Sequence, residues 1–187
     1  MIALASNSPR RKELLSLLNI EYVCVEHGDE SSPDLTLSPA DCVIKLSREK
    51  AMSASSEYPV LAADTLVFLD GAPLGKPKDE ADAYLMLSSL SGRTHEVYTG
   101  VTISYKDKII SRAVCSHVTF KTLTPELINA YIRSKEPLDK AGSYGVNGKG
   151  GILVERVEGD VYNVIGLPIA TLHDMLHELS IDITENW

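Results

Sequence analysis

The chain has 187 residues, 44% apolar and 24% charged, which suits one domain, or one domain with two lobes, around a sizeable core. A net charge of -8 argues against general affinity for nucleic acid or an anionic membrane surface. Cys24, Cys42 and Cys115 are widely spaced without a CxxC pair, which speaks against a disulfide framework or a thiolate zinc site. No apolar run reaches the ~18 residues of a membrane span, and no signal-peptide pattern precedes the polar turn after Ala5, so a soluble, cytoplasmic protein is expected.

Residues 3–15 read as a strand, a short polar turn and the start of a helix. Ser8 suits the N-cap and Pro9 the first helical position, while Leu14, Leu15, Leu17 and Leu18 supply an apolar face. Arg10, Arg11 and Lys12 then crowd a helix end whose dipole is already positive, at a cost of about 0.3–1 kcal/mol each. An anion seated there would explain the cluster; a solvated basic turn is the other reading. The spacing next predicts a strand over 21–26, an acidic turn-rich loop over 27–33, and a helix from Ser38 and Pro39 to about Ser55. Residues 59–63 form a buried strand that ends in Asp64 and Thr65 and is continued by 66–69, with Asp70-Gly71 a hairpin signal. Leu74-Gly75-Lys76-Pro77 is a loop, and 79–90 a helix ended by Ser91-Gly92. Two β-rich runs, 95–103 and 108–120, read as an antiparallel pair. Thr124 and Pro125 open another helix, 137–151 is a glycine-rich loop, 152–157 and 161–165 read as strands, and a last helix runs from Ile169 to about Leu179. α/β alternation fills the first half, and polar loops recur at strand ends, where α/β sheets collect ligand sites.

Asp64 follows Val60-Leu61-Ala62-Ala63, a costly position for an unpaired carboxylate. It is read either as a solvated strand-end residue or as a hard-cation ligand or general base. Asp29 and Glu30 offer a second carboxylate. Lys50 and Lys76, each taken alone, are surface lysines, although Lys76 gains weight between Gly75 and Pro77. Together with Arg10, Arg11 and Lys12 they make the inventory of phosphoryl transfer with Mg²⁺: cations clamp phosphates, carboxylates hold the metal and one carboxylate activates water. The glycine-rich loop is no P-loop, because GxxxxGK(S/T) is absent, and neither HExxH nor GxSxG occurs. His173 and His177 lie four apart on the last helix and read as a solvated face; the cysteines show no basic partner and read as neutral.

Seven short stretches, in order, resemble the signature of the Maf family of nucleoside triphosphate pyrophosphatases. They are Ala5-Ser6-Asn7-Ser8-Pro9-Arg10-Arg11, Arg48-Glu49-Lys50-Ala51, Ala63-Asp64-Thr65, Gly75-Lys76-Pro77, Ser91-Gly92, Asp139-Lys140-Ala141-Gly142-Ser143-Tyr144-Gly145 and Gly166-Leu167-Pro168. The resemblance covers nearly the whole chain, taken as one domain over 1–187. It implies an α/β fold of the Maf/ITPase-like kind: a curved mixed β-sheet flanked by helices, with two lobes and a central cleft. It implies hydrolysis of a nucleoside triphosphate between the α and β phosphates, giving the monophosphate and pyrophosphate, with a divalent metal cation (Mg²⁺ or Mn²⁺) and a homodimer. Asp64 matches the family's proton acceptor, and Asp64 with Glu30 its metal site. Ser6, Arg11, Lys50 and Lys76 match phosphate-holding positions; Arg10, Thr65 and Asn147 match positions tied to base selectivity. Lys12 matches no role and returns to the solvated reading. Ser-Pro-Arg-Arg with Ala-Asp-Thr resembles the branch acting on dTTP and UTP, extending to modified pyrimidine nucleotides. The branch acting on 7-methyl-GTP tends to carry Trp at the first Arg position and Ser-Asp-Gln at the second motif. Asn147 departs from the usual Gln: it keeps the amide but is one methylene shorter. A 7-methyl-GTP or other modified-purine pyrophosphatase is the enzymatic alternative. A non-enzymatic nucleotide-binding cell-division regulator is the other, and the Asp64/Glu30 pair argues against it.

Overall fold

The computed structural model describes residues 1–28 and 32–184. In chain order the elements are β1 (Ile2–Leu4), α1 (Pro9–Leu17), β2 (Tyr22–Cys24), α2 (Pro39–Ser53), β3 (Val60–Leu69), β4 (Ala72–Leu74), α3 (Glu80–Leu90), β5 (Thr94–Tyr105), β6 (Lys108–Phe120), α4 (Pro125–Arg133), β7 (Val154–Glu158), α5 (Val161–Ile165) and α6 (Ile169–Glu178). The strands form a mixed seven-stranded sheet in the order β2-β1-β3-β5-β6-β7, with β4 beside β3. β1 is parallel to β2 and β3; β4 and β7 run antiparallel to β3 and β6. This is the mixed sheet flanked by helices expected from the sequence. No helix among the described residues is long and apolar enough to cross a membrane.

Proline and short polar side chains set the helix starts. Ser38 Oγ accepts from the Asp41 amide, Thr124 Oγ1 from Leu127 and Asp79 Oδ1 from Asp82, each satisfying an amide of a first turn. Ser8 departs from this pattern. It stands at the N-cap of α1 behind Pro9, but its hydroxyl makes no capping bond; its own amide donates to Ser6 Oγ instead. Asp70 and Gly71 make the expected tight turn, both with positive φ, and return the chain as β4.

Two expectations are corrected. Residues 60–69 form one uninterrupted strand, so Asp64 sits inside β3 rather than at its end. Residues 161–165 are helical, not a strand. Their β-branched composition is overridden by tertiary anchoring. Asn163 is fully buried and donates Nδ2 to Val97 O and Ser116 Oγ, and the Asp160 carboxylate accepts from the Tyr162 amide.

The chain divides into two compact units: Met1–Asp64, Thr99–Val114 and Gly166–Trp187 form one, Thr65–Tyr98 and Cys115–Ile165 the other. In the first, Val60, Ala62 and Asp64 share one face of β3, because side chains alternate along a strand. Val60 and Ala62 cluster on that face with Ala3, Ala5 and Ala51 of α2. So many alanines let α2 lie close to the sheet. Gly100 on β5 takes this furthest, since a Cβ there would stand 2.1 Å from Val43 O of α2. Ser47 of α2 is bonded to Thr102 at 2.9 Å, and Thr102 to Ser111 at 2.9 Å.

In the second unit, α3 (Ala83, Leu87, Leu90) and α4 (Ile128, Tyr131, Ile132) share a core with Val67, Val97, Val118 and Phe120. His95 lies inside this core at 2% exposure, packed edge-on to Phe120 and Tyr144 and hydrogen-bonded through Nε2 to the Tyr144 hydroxyl at 2.8 Å. Burial pushes its pKa down to about 4, so the ring stays neutral in the fold. An unfolded histidine titrates near 6.5. Between about pH 6.5 and about pH 4 the unfolded chain therefore takes up a proton that the folded one refuses, and stability falls as pH falls. The loss at the acid end of that window amounts to about 3 kcal/mol. Chemical denaturation of the wild type and of His95→Gln at both ends of the window checks this. The loss is expected to shrink by most of that amount in the variant, and equal losses in both proteins would remove His95 as the cause.

Candidate active site

Asp64 and Lys50 are paired with each other among the first unit's candidate residues. Asp64 points toward α2, because it follows Val60 and Ala62 on the face that α2 covers. Lys50 lies on the last turns of α2, next to the buried Ala51. Its ammonium meets Asp64 Oδ1 as an ion pair, with the lysine side chain 7% exposed and the carboxylate 15%. Few lysines are buried this far, and those that are need a paired charge. The same turn is tied to the chain after β2: Ser53 Oγ donates to Lys50 O and accepts from the Gly28 amide at 2.8 Å.

Ser6 and Arg11 form the neighbouring group. Leu4 pairs with Leu61, and the Ala5 amide donates to Leu61 O, so the parallel register brings Ser6 level with Ala63, next to Asp64. Ser6 is 5% exposed, and its Oγ accepts from Arg11 Nη1 at 3.0 Å and from the Ser8 amide. Arg11 is itself buried, and its Nε donates to Gly166 O at 2.9 Å across 155 residues of chain. The guanidinium is thus pinned at two edges. Arg10, one residue earlier, is half-buried, and Lys12 is half-buried rather than fully solvated. The basic cluster therefore separates by burial, with Arg11 turned inward.

The remaining candidates belong to the second unit. Thr65 follows Asp64 in β3 and is half-buried. Lys76 is exposed and precedes the buried Pro77, in a loop whose Gly75 carbonyl accepts from the Gly142 amide. Gly142 has φ +67°, and a Cβ there would press on Val67 at 3.1 Å, so this turn of the glycine-rich loop fits glycine alone. Asn147 is exposed near the loop's tip. The loop is organised by Glu136, which sequence reasoning did not single out. Glu136 accepts from the Tyr131 hydroxyl at 2.9 Å and from the Lys149 and Gly150 amides at 3.0 and 3.1 Å. Burial alone would raise its pKa, but those donors and the nearby Lys140 outweigh burial and hold the carboxyl below its ordinary value. No sequence signal marks it, because its partners are mostly backbone amides.

Glu30, the second carboxylate expected at the metal site, lies outside the described residues. Asp64 belongs to no group of three close ligand-type side chains among the described residues. Its hard oxygens nonetheless suit Mg²⁺ or Mn²⁺, which proteins often hold through one or two carboxylates plus substrate phosphates.

The fold is one already seen in a solved structure, that of the Staphylococcus aureus Ham1 protein: TM-score 0.53 at 15% identity, covering 95% of this chain and 98% of that one. At that identity the likeness is one of fold. A family model described as Maf-like protein matches residues 1–179. The proteins named dTTP/UTP pyrophosphatase from Bacillus thuringiensis subsp. konkukian (strain 97-27) and Bacillus cereus (strain AH187) are each 50% identical over 98% of this chain and 97% of their own. The chain belongs to the Maf family.

Because α2 carries Lys50 and is pressed onto Gly100, the placing of Lys50 depends on Gly100 having no side chain. Gly100→Ala puts a methyl into the Val43 carbonyl, and either α2 or β5 must shift. The expected cost is about 1–3 kcal/mol of stability, with turnover down on the order of 10²-fold as Lys50 is displaced. Gly71→Ala, where a Cβ meets nothing within 4 Å but φ is +79°, should lower stability and spare turnover. Unfolding curves and initial rates of the two variants check the contrast.

Proposed function

We propose that this protein hydrolyses dTTP and UTP to the monophosphate and pyrophosphate. The Lys50–Asp64 ion pair and the Arg11–Ser6 pair, both in the first unit, support the reading: cationic and hydroxyl groups accompany a carboxylate, as cleavage of a triphosphate requires. The names of the close relatives support the substrate class.

Asp64, with Glu30, would hold a divalent cation, Mg²⁺ or Mn²⁺, which would supply charge neutralisation along the phosphate chain. Asp64 accepts the proton of the attacking water, and Lys50 holds that carboxylate in place. Arg11, fixed by Ser6 and Gly166, meets phosphate oxygens without reorganising, which makes it an efficient stabiliser of charge on the leaving pyrophosphate. Ser6 and Lys76 hold further phosphate oxygens. Arg10, Thr65 and Asn147 read the base, the Asn147 amide both donating to and accepting from a pyrimidine edge.

A nucleotide panel assayed for both pyrophosphate and orthophosphate tests the reaction. Pyrophosphate with dTTP and UTP is the expected product; orthophosphate would displace the cleavage position, and preference for a modified purine would overturn the substrate. Asp64→Asn should lower turnover by roughly 10²–10⁴-fold with its circular dichroism spectrum preserved, and an active Asp64→Asn protein removes Asp64 from the mechanism. Asn147→Gln restores the longer side chain usual in the dTTP/UTP branch. It is expected to change KM for dTTP and UTP while leaving kcat within about threefold, as a group that binds ground and transition states alike would.

A further inference from the structure

A second cluster of chemically active side chains lies in the second unit. Thr94 of β5 faces Thr119 of β6, their hydroxyls 2.9 Å apart. Stepping inward two residues at a time from that antiparallel pair sets Glu96 opposite His117 and Tyr98 opposite Cys115, all on one face. It is the face turned from the core: His95, Val97, Ser116 and Val118 alternate with these residues and are buried. One ligand atom each from Glu96, Cys115 and His117 lies within 4.8 Å of the others, and His117 Nε2 is 3.6 Å from Glu96 Oε1. Glu96 and Cys115 are half-buried and His117 is exposed, so the group is held from one side and open to solvent on the other.

The spacing matches a metal rather than a plain ion pair. Zinc bonds of about 2.0–2.3 Å put neighbouring donors of a tetrahedral site about 3.3–3.8 Å apart. The Glu96–His117 distance is already such an edge, and the remaining separations close by about an ångström, within side-chain rotation. The Tyr98 hydroxyl bonds to Cys115 and reaches Glu96, and its ring packs edge-on to Phe68, so the thiol and carboxylate are oriented before any ion arrives. A further carboxylate, Glu158, stands opposite His117 on β7, ion-paired to Arg156. Thiolate, imidazole and carboxylate together favour zinc-class ions over Mg²⁺ and Mn²⁺, which prefer oxygen alone.

We infer that Glu96, Cys115 and His117 form a binding site for a zinc-class divalent ion on the outer face of the β5–β6 pair, with solvent in the fourth position. The site is independent of the proposed hydrolysis and of Asp64. It clamps two strands across their ladder, and it takes a different ion from the one suited to the phosphate site.

Titration of the metal-stripped full chain with Co²⁺, followed by thiolate-to-cobalt charge-transfer absorption, tests it. One equivalent should saturate the band, and Zn²⁺ should then displace it. Cys115→Ser should abolish the band and His117→Asn should weaken Co²⁺ binding at least tenfold, whereas Cys24→Ser and Asp64→Asn should leave both unchanged. His117 is exposed, so its variant tests the site even if Cys115→Ser misfolds. A band absent from the wild type, retained in Cys115→Ser, or lost in Asp64→Asn would overturn the assignment.

Discussion

An ammonium and a carboxylate taken out of water together are stable only while their geometry is held, and here α2 holds it. Lys50 and Asp64 reach each other because α2 rests almost directly on the sheet, its Val43 carbonyl against Gly100, its Ser47 bonded to Thr102 and its Ala51 among Ala3, Ala5 and Ala62. Small side chains on both surfaces set the separation, and that separation sets which lysine atom meets which carboxylate. The site's charge arrangement and the first unit's packing are thus one property.

The elements that could be read in advance are those whose determinants are local. Proline at the first helical position, with Ser38 and Thr124 before it, located two helices to within a residue or two. Asp70-Gly71 located the β3–β4 hairpin, because its two positive φ angles are demanded by the turn itself. Where a long-range contact decides, local reading failed. Residues 161–165 look like a strand until Asn163 is seen bonded to Val97 and Ser116.

The candidate site shows the same division. Arg11 and Asp64 were recognisable as charges in dipole-opposed or apolar settings, Ser6 and Lys50 only through the family resemblance, and the structure joins the four in two bonded groups. Glu136, Gly100 and the Gly166 carbonyl were not recognisable. Their roles rest on backbone groups and on the absence of a side chain, which a sequence does not display. The spacing of Glu96, Cys115 and His117 hid the second cluster in another way: cross-strand neighbours stand about twenty residues apart in the chain, while the usual zinc motifs pair ligands a few residues apart.

The bond from Arg11 to Gly166 joins the first helix to the turn before the last one. During synthesis the amino-terminal strand, the basic turn and α2 leave the ribosome long before residue 166 does. Until that residue emerges, the guanidinium lacks the carbonyl that receives its Nε. A nascent chain, or one truncated ahead of Gly166, carries Arg11, Lys50 and Asp64 yet lacks the carbonyl that clasps the arginine from the far end of the sequence.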